Sequence, residues 1–233
     1  MPILSSILLL GSAVVGSYAA PADDSALAKN SVVERSVPPG GGYNGGYYYT
    51  YWTAGQGTID YENYDVGGYS INWSGVADFT AGKGWMPGSD RTINYSGTFT
   101  PTAGNALLSV YGWTINPLIE YYITDSYATD PSTDASAGFT YKGSVDSDGG
   151  TYKIYTAPRE NAGSIIGTAN FTQYWSIRTT PRVGGTITTS NHFNSWASLG
   201  MNLGTFDASS YCYQILSTEG LWQSSGSSAL TVW

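Results

Sequence analysis

From about Gly42 to Trp233 the chain is a succession of short β-prone runs closed by glycine-rich turns. The runs are Tyr47–Trp52, Tyr69–Trp73, Thr92–Thr100, Leu107–Trp113, Leu118–Thr124, Thr151–Thr156, Asn170–Thr179, Thr186–Thr189, Gln214–Ser217 and Ala229–Trp233. Gly67-Gly68, Asp148-Gly149-Gly150 and Gly184-Gly185 punctuate them, as turn-formers that supply positive φ without steric cost. Many regularly spaced strands without intervening amphipathic helices predict an all-β sandwich or jelly roll. Charged residues are only 11% of the chain, against roughly 25% in ordinary soluble domains. Thr, Ser and Gly fill the outer strand faces instead. One segment breaks the pattern. Phe193, Trp196 and Ala197 fall at i, i+3 and i+4 and are closed by Gly200, which predicts a single helix over about 191–199. It is expected to pack outside a sheet, with His192 at its solvent-side start.

The N-terminus has a different character. Ile3 to Val15 is apolar but too short to span a bilayer, and Ser17 and Ala19 stand at the small-x-small positions of a signal-peptidase site. No Lys or Arg precedes the run. Residues 20–35 are polar and acidic, and Pro38-Pro39-Gly40-Gly41-Gly42 disfavours regular structure. The expected organisation is a signal peptide over 1–19, a propeptide over 20–35 and one domain over 36–233. The protein is expected to be secreted and extracellular. Asn72-Trp73-Ser74, Asn94-Tyr95-Ser96 and Asn170-Phe171-Thr172 are N-glycosylation sequons on such a route.

Charge and rare residues remove several function classes. A net charge of −8 leaves no basic stripe for nucleic acid or for an anionic membrane. Cys212 is the only cysteine and His192 the only histidine, so a cysteine cluster or multi-histidine zinc site is impossible. No metal and no cofactor are expected, and a monomer is the default.

The aromatic residues point elsewhere. The 20 Tyr and 8 Trp far outnumber the 6 Phe. Each Tyr or Trp carries a polar tip that needs a partner, which a groove stacking sugar rings would supply. Core packing explains many of them equally well.

Two acids stand in β-runs beside tyrosine. In Pro117-Leu118-Ile119-Glu120-Tyr121-Tyr122, alternation puts Leu118, Glu120 and Tyr122 on one face; Tyr111 and Trp113 share a face of the preceding run. Near the C-terminus Tyr213, Ile215, Ser217 and Glu219 align likewise. Hydrolysis with retention at a glycosidic bond needs two carboxyl groups about 5–5.5 Å apart, a spacing that adjacent strands provide. Private salt bridges are the other explanation, and Lys and Arg are scarce.

With Gly82-Lys83-Gly84-Trp85, Tyr111-Gly112-Trp113, Pro117 to Tyr122, Gln173-Tyr174-Trp175-Ser176-Ile177-Arg178, Asn191-His192-Phe193-Asn194 and Thr218-Glu219-Gly220 in order, the chain resembles glycoside hydrolase family 11, the small jelly-roll endo-β-1,4-xylanases. The likeness implies two twisted antiparallel sheets with one helix, and xylan as substrate. It implies Glu120 as nucleophile, Glu219 as acid/base, and Asp78 as a neighbour of the acid/base that goes with an acidic pH optimum. It further implies that Trp52, Tyr111, Tyr122, Arg159, Gln173 and Tyr213 bind substrate, and that Arg159 to Gly167 forms a thumb over the groove. Three positions depart from the family pattern. Gly163 stands where the thumb usually has proline, Leu107 where a groove tyrosine is common, and Ile115 where an arginine is common. A β-1,4-glucanase and a non-catalytic carbohydrate-binding sandwich are the competing readings.

Overall fold

The structure is a computed structural model, and it describes residues 37–233. The expected signal peptide and propeptide lie outside the described residues. The strands are β1 (Gly40–Asn44), β2 (Tyr47–Thr53), β3 (Thr58–Asn63), β4 (Gly68–Trp85), β5 (Thr92–Thr114), β6 (Ile119–Tyr127), β7 (Thr140–Ser147), β8 (Gly150–Ser164), β9 (Gly167–Arg178), β10 (Gly185–Thr188) and β11 (Gln214–Val232). Among the described residues there is one α-helix, α1 (Thr189–Ser198), which starts two residues before the expected span.

Strands follow the order β1-β2-β4-β11-β5-β6-β9-β8-β7, with β3 and β10 pairing onto β4 and β5. Several runs that read as separate in sequence are single strands. Thr92–Thr100 and Leu107–Trp113 merge into β5, and Gln214–Ser217 and Ala229–Trp233 merge into β11. The joining residues hid them: Pro101-Thr102-Ala103-Gly104-Asn105-Ala106 in β5 and the Gly- and Ser-rich stretch from Thr218 to Ser228 in β11 have little β-branched or aromatic character yet still fill a ladder. All pairs are antiparallel except β6 with β9, which run parallel and so correct the all-antiparallel expectation.

The long strands serve two layers at once. The first half of β11, to Leu221, pairs with Asp78–Trp85 and Asn105–Gly112; the second, from Ser224, pairs with Gly68–Val76 and Tyr95–Ala103. Between the layers lies the main core, where Tyr61, Tyr69, Tyr95, Tyr121 and Tyr152 are buried with Ile71, Phe79, Val110, Ile123 and Leu216. A buried phenol is costly without a partner, and here the hydroxyls are paired. Tyr61 donates to Asn63 Oδ1 at 2.8 Å, and Tyr95 to Asp125 Oδ2 at 2.7 Å. Tyr152 also donates to Asp125, whose Oδ2 accepts from Arg182 Nε at 2.8 Å.

His192 is not at the solvent side. It is fully buried, edge-on to the Tyr152 ring with centroids 4.7 Å apart. Helical periodicity places Phe193 and Trp196 inward, and α1 is wedged closely enough that the neighbouring position is covered as well. The indole of Trp196 donates to Ser176 Oγ at 3.0 Å and so ties the helix to β9.

Candidate active site

A second apolar cluster, distinct from the main core, lines the opposite face of the sheet. Tyr48, Leu107, Tyr111, Trp113, Tyr122, Phe171, Trp175 and Ile215 compose it. In each case the alternate residues of the same strands face the main core, as Val110, Tyr121, Ile123 and Leu216 do. Above this face opens a cleft of about 670 Å³, into which Glu120, Glu219 and Asp78 all look.

Glu120 lies on β6 opposite Trp113 of β5 and opposite Gln173 of the parallel strand β9. Three donors hold its carboxylate. Tyr111 Oη donates to Oε1 at 2.8 Å, Tyr122 Oη to Oε1 at 3.1 Å, and Gln173 Nε2 to Oε2 at 2.6 Å. Burial raises its pKa, and the hydrogen bonds from Gln173, Tyr111 and Tyr122 and the charge of Arg159 oppose that rise. Neither Glu120 nor Glu219 forms a salt bridge among the described residues, so the private ion-pair explanation fails.

Glu219 lies on β11 opposite Thr80 of β4 and Leu107 of β5. The two glutamates are not on adjacent strands as expected, because β5 separates β6 from β11. They converge on the cleft nonetheless. Burial pushes the Glu219 pKa well above the usual carboxylate range, and the negative charges of Asp78 and Glu120 add to the rise. Asp78 sits two residues from Thr80, the partner of Glu219, which is a diagonal cross-strand position. Burial lifts Asp78 to about 7, with a further contribution from the charge of Glu120. Glu219 Oε2 and Asp78 Oδ1 are buried with no partner in the protein. Such a pair holds a proton that an isolated acid would release, and releases it in shared steps.

The remaining predicted residues border the same cleft. Trp52 is 54% exposed at its rim. Tyr213 packs against Tyr48 and Tyr111 at centroid distances of 5.7 and 5.8 Å. Arg159 reaches from β8 and donates to Ala137 O at 3.0 Å, joining β8 to the Pro131–Ala137 turns that form the other wall. The expected thumb is the tip of the β8–β9 hairpin. A bulge at Glu160-Asn161 bends it, Asn161 N–H is capped by Asn170 Oδ1 at 2.8 Å, and the tip is closed by Ser164 Oγ donating to Gly167 O at 2.6 Å. Gly163 has open space where a side chain would stand.

Two orienting residues escaped assignment from sequence. Trp113 Nε1 donates to Tyr111 Oη at 2.8 Å, and Trp175 Nε1 donates to Gln173 Oε1 at 3.2 Å. Each tryptophan lies two residues beyond the group it orients, on the same face. The signal was therefore present as an i, i+2 pair beside each polar residue. Trp222, also at the cleft wall, carried no signal, because strand alternation from Glu219 directs it away.

No ligating group of three or more His, Cys, Asp or Glu residues exists among the described residues, and no described helix is long and apolar enough to cross a membrane.

The family model for glycosyl hydrolases family 11 matches residues 44–231. The chain is 49% identical over 231 residues to a probable endo-1,4-beta-xylanase B of Aspergillus clavatus, covering 98% of each chain. It is 54% identical over 203 residues to ethylene-inducing xylanase 1 of Botryotinia fuckeliana, covering 86% of this chain and 68% of that one. A solved structure from a comparison of two major endo-1,4-beta-xylanases of Trichoderma reesei superposes with a TM-score of 0.72 at 44% identity, covering 80% of this chain and 97% of the other.

Proposed function

The chain belongs to glycosyl hydrolase family 11, and from that premise we propose that it is a secreted endo-1,4-β-xylanase that cleaves internal bonds of xylan with retention of anomeric configuration. The observation that carries this reading is the unequal treatment of two buried acids facing one cleft. Glu120 receives three hydrogen bonds that favour its ionised form, whereas Glu219 has an oxygen with no donor and two negative neighbours. Environments that push two carboxyl groups apart assign one as nucleophile and the other as acid.

In this mechanism Glu120 attacks the anomeric carbon while Glu219 gives its proton to the leaving glycosidic oxygen. The C–O bond to the leaving chain breaks, and a glycosyl ester to Glu120 forms. Glu219, now ionised, takes a proton from water, whose oxygen attacks the same carbon and displaces Glu120. Tyr111, Tyr122 and Gln173 fix the attacking oxygens, and all three lie against the sugar seated over Glu120. Trp52 offers a stacking face at the rim, Tyr213 and Arg159 bound the groove, and the hairpin tip at 159–167 closes over it.

Activity requires Glu120 ionised and the Asp78–Glu219 pair protonated. The lower limb of the pH profile therefore follows Glu120, and the upper limb follows the first proton lost from the pair, whose carboxyls burial and neighbouring negative charge hold above the usual carboxylate range. The optimum falls on the acid side of neutrality.

The decisive experiment measures reducing-sugar release from xylan and from soluble cellulose side by side, with Glu120→Gln as control. Proton NMR of the first product scores its anomer. Xylan cleavage giving the β-anomer and lost in the variant supports the reading. Cleavage of cellulose alone moves the chain to the glucanase reading, and retardation by polysaccharide without cleavage leaves a binding module.

A further inference from the structure

Strand alternation from Glu219 points Leu221 into the cleft and Trp222 away from it, yet both residues line the cleft. The reason is a bulge that interrupts β11 on both its edges. Leu221 pairs with Asp78 and Asn105, the ladders resume at Ser224 and Ser225, and Trp222 and Gln223 have no register partner on either strand. Both residues adopt the left-handed region, with φ of 57° and 62°. Non-glycine residues there are uncommon, and two in succession persist only where the surroundings enforce them.

The surroundings do enforce them. Trp73 Nε1 donates to Ser224 Oγ at 2.8 Å, and Gly75 N donates to Ser225 Oγ at 3.0 Å, pinning the chain immediately past the bulge. On the other edge Gly104, at φ 66°, leaves room for it; a Cβ there would stand 2.7 Å from the Ser224 backbone. A bulge beside an active site re-aims a side chain. Here the result is an indole 53% exposed at the cleft, on the far side of Asp78 from Trp52, with the acid's strand β4 lying between the strands that carry them. Among the described residues no ring contact or hydrogen bond occupies this indole.

We propose that Trp222 is a specificity-determining residue: a stacking platform for an additional pentose ring of the xylan chain, away from the bond being cleaved. This rests on the xylanase reading above. A flat aromatic face left open in water beside a sugar-binding groove gains by covering itself with the apolar face of a sugar ring. A platform of this kind rewards only substrates long enough to reach it. Its contribution is to binding, so it enters KM rather than kcat.

The test is hydrolysis of xylo-oligosaccharides from three to six residues by the unsubstituted enzyme and by Trp222→Ala, Trp222→Leu and Trp222→Tyr. The expected result is a rise in KM that grows with chain length, reaching about tenfold on the longest oligomer, with kcat changed much less. Tyr restores most of the loss, and Leu, which is apolar but not flat, does not. A loss equal at all lengths, no loss, or full restoration by Leu overturns the proposal. Should Trp222→Ala not fold, the Leu and Tyr pair decides between the same outcomes. If the unsubstituted enzyme cleaves none of the oligomers, the xylanase reading has failed and the platform falls with it.

Discussion

The Gln173 carboxamide donates to Glu120 Oε2 at 2.6 Å while its own oxygen accepts from the Trp175 indole at 3.2 Å. That second bond settles which end of the amide faces the acid. The Trp175 ring is in turn stacked on Tyr122, with centroids 3.8 Å apart and planes 1° from parallel, and Tyr122 donates to the other oxygen of Glu120. The carboxylate is thus gripped by groups that brace one another, an arrangement suited to an attacking oxygen that must not rotate.

Gln173→Ala removes a charge-assisted hydrogen bond that lowers the Glu120 pKa. Such bonds are worth ~1.5–3 kcal/mol, so the acid limb of kcat/KM should move upward by about one pH unit or more. Trp175→Phe should produce a smaller shift in the same direction, since it frees the amide to turn. A pH–rate profile from pH 3 to 8 reads both, and an acid limb that stays in place removes Gln173 from this role.

Asp78→Asn should move the alkaline limb and the optimum to higher pH. With Asp78 present, two buried acids share the site and the first proton leaves the pair as a unit. With asparagine the limb follows Glu219, which burial still holds high. An unchanged profile would count against the coupling of these two acids.

Glu219→Ala should lower the rate on xylan by roughly 10²–10⁴-fold, the usual worth of a positioned proton donor. An aryl xyloside with a good leaving group needs no protonation and should lose much less in the glycosylation step. Added azide should then be captured on the β face as the glycosyl azide. An α product, or equal losses on both substrates, would sink the assignment of Glu219.

His192 gives a stability test unconnected with catalysis. Burial holds its pKa at about 3, below the ordinary 6.5, against the opposing charge of Asp148 and with help from Arg178 and Arg182. The folded state keeps it neutral while the unfolded chain protonates below 6.5. The associated stability is therefore complete above pH 6.5 and is lost as pH falls toward 3, by about 4–5 kcal/mol in all. A His192→Phe variant that folds should show a flatter loss of stability in denaturant titrations between pH 6.5 and 3.5. A slope equal to that of the unsubstituted protein would show that other groups govern acid unfolding.

Much of the site was legible because strand alternation is a local property. Tyr111 and Trp113, Glu120 and Tyr122, and Tyr213 and Glu219 share faces by spacing alone, and the structure keeps every one of these pairs in the cleft. The Pro101–Ala106 segment of β5 and the Gly- and Ser-rich middle of β11 read as breaks between strands, since they hold ladder hydrogen bonds without the side-chain signature of a strand.

The sequence alone determined the all-β class, the helix near 191–199 and the strand faces on which Glu120 and Glu219 stand, because each follows from periodicity or residue chemistry within a few positions. Tertiary structure decided which strand lies beside which. It set β5 between the glutamates, ran β9 parallel to β6 so that Gln173 meets Glu120, and covered His192. It also placed the bulge that turns Trp222 inward. Alternation fixes the face of a residue but carries no information about its partner across the ladder. Partnership arises only when strands distant in sequence pack together and share one core.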